Sequence, residues 1–177
     1  MGIGGVSWLM AVAAMLLLAG SAHAQLNASG TLNATLINKS GISIVFNSDA
    51  SGVALSGSGT AAAGLNFGTV SMYGTAPAGV TVTRAAGSFT VSSPFDVFVD
   101  IGGTASPSYR LQANLAAVPG VYSYQIDAVP LSTALTTVVA ADPNYRTNVL
   151  HTMYLTIPAS APAGAVSNTV QFTVTAN

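Results

Sequence analysis

Apolar and polar residues alternate along this chain in short runs, the period of a strand with one face buried. The clearest run is residues 109–115, where Tyr109, Leu111, Ala113 and Leu115 face one way and Arg110, Gln112 and Asn114 the other. Residues 121–129 repeat it after a turn at Pro119 and Gly120, with Tyr122, Tyr124, Ile126 and Ala128 opposite Ser123, Gln125 and Asp127. Residues 89–92 and 95–101 form two further runs divided by Ser93 and Pro94. Pro94 has no N–H to give a ladder, which predicts a strand start or an edge there. Residues 149–157 and 166–175 flank a turn over 158–164, and in the second run Val170, Phe172 and Val174 point inward while Thr169, Gln171, Thr173 and Thr175 point outward.

The early part of the chain is less regular. Residues 31–36 alternate, with Leu32, Ala34 and Leu36 against Thr31, Asn33 and Thr35, and Ile42, Ile44 and Phe46 add a short run before a Gly-, Ser- and Ala-rich stretch over 48–64 that reads as loop. Short strands at a spacing of roughly 8–12 residues, with turn residues between them and no helical period, predict an all-β fold of the β-sandwich kind.

Residues 1–24 carry a different pattern. An apolar run over 9–19 followed by Ala22, His23 and Ala24 predicts a secretory signal peptide, since the run falls short of the roughly 20 residues a bilayer span needs. Cleavage would leave roughly 150 residues, enough for one domain. The expected divisions are an N-terminal extension or first strand over 25–46, a loop over 47–64 and a β-sandwich core over 65–177. The product is expected to be exported, to the periplasm, the cell surface or the medium, with no membrane span in its mature form.

Charge narrows the partners. Four Lys and Arg against five Asp and Glu give a net charge of −1, so neither nucleic acid nor an anionic membrane surface has its electrostatic driving force. Copies of the chain repel each other little, which favours self-association. With zero Cys the core must hold without disulfides, and thiol catalysis and Cys-based metal sites are excluded.

No residue set predicts catalysis, a cofactor or a metal. His151 lies in a strand-like run with no G-x-S-x-G turn elsewhere, so packing is its expected role. Asp96 and Asp100, four apart on one strand face, stand roughly 13 Å apart, too far for a glycosidase pair. Asn47, Asp49, Ser51 and Gly52 imitate half of a calcium loop, but its twelfth position is Ser58 instead of a bidentate acid. Asn27, Asn33 and Asn38 open N-x-[ST] triplets, which a Ser- and Thr-rich chain produces by chance.

The order of elements carries a resemblance. Leu65, Asn66, Phe67, Gly68 and Thr69 come early, the strand pair within 95–115 follows, and Ile157, Pro158, Pro162, Ala163 and Gly164 precede the closing run from Thr169 to Thr175. Over residues 65–177 the chain resembles the spore coat protein U family, which includes subunits of archaic chaperone-usher pili; Val166 stands where that family has a tyrosine, and the family's usual cysteines are missing. The resemblance implies an immunoglobulin-like sandwich lacking one strand, completed by a strand from a sister subunit, with a periplasmic chaperone and an usher as further partners. Leu32, Ala34 and Leu36 would then be the donated side chains, and Val170, Phe172 and Val174 the lining of the acceptor groove. Two alternatives stay open: residues 31–36 fold back as the chain's own first strand, or the domain is a secreted carbohydrate- or ligand-binding module. With Trp8 the only Trp, an aromatic platform in the mature chain would have to be built from Tyr and Phe.

Overall fold

The computed structural model describes residues 26–34, 41–103 and 105–177. Eleven strands follow in order: β1 (Leu26–Ala34), β2 (Ile42–Asn47), β3 (Ala62–Val70), β4 (Thr81–Ala85), β5 (Ser88–Ile101), β6 (Tyr109–Leu115), β7 (Ser123–Ile126), β8 (Val129–Leu131), β9 (Thr136–Asp142), β10 (Asn148–Pro158) and β11 (Gly164–Ala176). No helix occurs among them, and none of the described residues forms one long and apolar enough to cross a membrane. One sheet has the order β3-β1-β11-β6-β9; the other runs β2-β5-β10-β7-β8, with β4 beside β5. The inward positions of both merge into a single apolar core. Phe46 of one sheet meets Phe172 of the other with ring centroids 4.9 Å apart. The described residues are therefore all-β, with two sheets face to face in a sandwich-like fold.

Alternation accounts for most of this. β10 and the second half of β11 place every second residue inside, and the run over 109–115 is a strand of those same bounds. The runs divided at Pro94 are instead one strand of 14 residues. β2 and β4 share one edge of β5, pairing with residues 96–101 and 88–92 and leaving Ser93 to Phe95 between them. Pro94 turns its carbonyl to that gap, since a Cβ on Gly52 would stand 2.1 Å from the Pro94 oxygen. Its missing N–H thus falls where no ladder needs it. The loop after β2 closes the gap, with Val53 N–H donating to the wholly buried Ser93 Oγ at 2.9 Å.

The run over 121–129 is broken where the alternation continues. Ile126 pairs with Val129, so Asp127 and Ala128 form a two-residue hairpin loop, and Ala128 is exposed. Asp127 takes a φ of 54°, a left-handed conformation that Asp tolerates better than most residues. Its N–H donates to the Thr152 carbonyl at 2.8 Å.

Gly68 has a structural task in the Leu65 to Gly68 segment. Against β1, Ala28 is opposite Gly68 and Ser29 opposite Asn66, so Phe67 has no partner. The extra residue is a β-bulge. Gly68 sits at a φ of 70° and its N–H bonds Asn66 Oδ1 at 2.8 Å. The bulge shifts the inward positions from Ala63, Leu65 and Phe67 to Val70.

Candidate functional site

The strand β1 occupies a slot between β3 and β11. It runs parallel to β11, Leu26 opposite Gly164 through Ala34 opposite Phe172, and antiparallel to β3, Leu26 opposite Val70 through Asn33 opposite Ala62. One face carries small and apolar residues: Ala28 and Leu32 are wholly buried, with Gly30 between them. A Cβ on Gly30 would lie 3.6 Å from the Leu65 carbonyl oxygen, an ordinary contact. Thr31 and Asn33 belong to the other face and reach solvent.

Of the side chains expected to be donated, Leu32 lies in this slot beside Val170 and opposite Ala63, Ala34 takes the register position beside Phe172, and Leu36 lies outside the described residues. Val170, Phe172 and Val174 are all buried. Val170 and Phe172 pair directly with β1, whereas Val174 lies beyond the pairing and is matched to Leu111 of β6. Phe172 also meets Phe95 at 6.4 Å, completing an aromatic cluster with Phe46. Sequence reasoning missed the far wall, Ala63 and Leu65 of β3; the alternation of Ala63, Leu65 and Phe67 was the available signal.

Elsewhere the candidate chemical groups are tied into the scaffold. His151 is 3% exposed, and its Nδ1 lies 2.8 Å from Asp127 Oδ2. Asp127 Oδ1 accepts the Thr152 N–H at 2.8 Å. Burial raises the Asp127 carboxyl pKa, but the His151 and Thr152 bonds outweigh it and hold the group below the usual carboxylate range. The other ring nitrogen, Nε2, is buried and bonds no group among the described residues, with Phe95 packed 6.0 Å from the ring. The pair pins the β7–β8 turn to β10.

Asp49 accepts hydrogen bonds from the Ser51 N–H and hydroxyl, a local turn that holds its carboxyl low. Asp96 is pushed up by partial burial and by the Asp49 charge. Among the described residues no three His, Asp or Glu side chains are grouped as metal ligands. Buried Tyr109 donates to Asp142 Oδ2 at 3.1 Å; burial, with the Asp142 charge, drives the phenol above its ordinary range. No protein-family model matches this chain, and no curated protein matches it.

Proposed function

We propose that this protein is an exported structural or adhesive subunit of a pilus or surface coat, an immunoglobulin-like sandwich that assembles when one copy's N-terminal strand enters the slot of another. The observation that carries the reading is the position of β1 between β3 and β11. Withdrawn, it would leave two open strand edges and uncover Ala63, Leu65, Val170 and Phe172. Such an opening is a template for any strand offering backbone hydrogen bonds and correctly spaced apolar side chains. The chain's own β1 meets that specification, and so does the same segment of a second copy. Leu32, Ala34 and Leu36 are the donated side chains in this reading, and Val170, Phe172 and Val174 line the receiving groove. Its partners are sister subunits, with a periplasmic chaperone and an usher to hold and deliver the open form.

The test compares chains that begin at Gln25 and at Gly41. The shorter chain should unfold or aggregate alone and recover a cooperative melt when a peptide of residues 25–36 is added. The longer chain should form ladders on unheated gels and fibres by electron microscopy. A longer chain that stays monomeric at high concentration, and never takes up labelled peptide, would sink the proposal.

A further inference from the structure

The connection over 116–122 carries the chain from β6 in one sheet to β7 in the other, and so crosses one end of the sandwich. It turns tightly: Tyr122 N–H donates to the Pro119 carbonyl at 3.2 Å, and Gly120 between them takes a φ of 64°, a left-handed conformation that glycine adopts readily. Ala116 N–H bonds the Thr169 carbonyl, and Asn168 Nδ2 donates to the Ala117 carbonyl at 2.9 Å. Asn168 Oδ1 is engaged as well, accepting the Thr169 N–H. Asn168 thus ties the crossing to β11.

Between this crossing and the two sheets lies a cleft of about 270 Å³. Segment 117–120 borders it, β11 contributes Val166 and Ser167, and Tyr122 and Tyr124 complete the lining from the other sheet. Residues two apart in an extended chain point the same way, which is why both phenols reach the cleft. Tyr124 is 5% exposed, yet its hydroxyl bonds no group among the described residues, whereas the buried phenol of Tyr109 donates to Asp142. Burial, with Tyr122 nearby, drives the Tyr124 phenol up to about 12, and no hydrogen bond contributes to that rise. The group is therefore a neutral donor and acceptor, and leaving it unmatched is unfavourable.

The polar side chains of the cleft with no bond among the described residues are three hydroxyls, those of Tyr122, Tyr124 and Ser167, and no charged residue lines it. A hydroxyl both donates and accepts. Several of them beside aromatic and aliphatic walls match a ligand that is itself uncharged, hydroxylated and apolar on its C–H faces. We propose that this cleft binds one neutral sugar ring, held among Tyr122, Tyr124 and Val166. A charged ligand would leave its charge unpaired there, at a cost in desolvation. The volume lies just under the roughly 300–1,000 Å³ of sites for drug-sized ligands, which suits a single ring. The site needs only the folded chain and does not depend on strand exchange, so it goes beyond assembly and gives the protein a ligand of its own.

The test is saturation-transfer NMR on the full chain, with methyl glucoside, methyl galactoside, methyl mannoside and N-acetylglucosamine as probes and glucuronate as the charged counterpart. At least one neutral sugar should receive saturation from the protein, and glucuronate none. Tyr124→Phe removes one oxygen and keeps the ring. It should weaken that sugar at least tenfold without lowering the melting temperature, because the hydroxyl has no protein partner to lose. Tyr154→Phe, on the outer face of β10, should bind as the wild type does. Silence from all four neutral sugars, equal binding of glucuronate, or unchanged affinity in Tyr124→Phe would overturn the proposal. So would a lower melting temperature in Tyr124→Phe, by showing that the hydroxyl is bonded within the fold.

Discussion

Leu32 of β1 lies beside Val170 of β11 in parallel register, with 0% and 1% of their surfaces exposed. This pair joins the N-terminal segment to the closing strand inside the core, so truncating either side chain leaves a cavity that rigid sheets cannot fill. Leu32→Ala should cost about 2–5 kcal/mol in urea unfolding of the monomeric chain. A cost near zero would mean that β1 contributes little to the folded monomer.

Two glycines near this core should respond to alanine with opposite signs. At Gly30 the added methyl meets only ordinary contact, and the unfolded chain loses freedom, so Gly30→Ala should be neutral or stabilising by up to about 1 kcal/mol. The melting temperature checks it, and a clear fall would show that the slot is tighter than its backbone distances imply.

At Gly52 the methyl would collide with the backbone oxygen of Pro94 at 2.1 Å, which no side-chain rotation can relieve. Gly52→Ala should cost about 1–3 kcal/mol and loosen the plug between β2 and β4. Hydrogen exchange at the Val53 amide, bonded to Ser93 Oγ, should accelerate in the variant.

The Asp127 carboxylate gives a pH-dependent term. Its folded pKa is depressed below the unfolded value near 3.9. The stabilisation is therefore complete above the ordinary carboxylate range and is lost as pH falls through the depressed folded value. Asp127→Asn keeps the shape and tolerates positive φ, and at neutral pH it should cost about 1–2 kcal/mol. The gap between wild type and variant should close in acid; a pH-independent gap would assign the effect to turn geometry.

Alternation made much of the fold legible. Tyr109 to Leu115 and the inward set Val170, Phe172 and Val174 stand where period two puts them, because both strands have one face on the core and one in water. Features that depend on backbone context were not legible. Pro94 reads as a break, yet lies within a strand because Gly52 fills the edge it faces. Ala128 continues the pattern but follows a left-handed Asp127 into a turn. β9, with Val138 and Val139 both half-buried, shows no alternation at all. The slot was half legible, since its β11 wall alternates plainly while the β3 wall starts inside the Gly-, Ser- and Ala-rich stretch and alternates only over Ala63, Leu65 and Phe67 before the bulge at Gly68 ends the pattern.

The pairing of β1 with β11 also orders events in time. Synthesis makes residues 26–34 early, and their parallel partner comes only after nine intervening strands. At about 5–20 residues per second the wait is on the order of ten seconds, and contacts so distant along the chain are slow to form in any case. Through that interval β3 is the only one of the first strand's two neighbours yet made, and its β11 edge stays open. Under the proposed assembly, whichever strand reaches the newly finished β11 first, its own or a neighbour's, would decide whether the product is a closed monomer or a link in a chain.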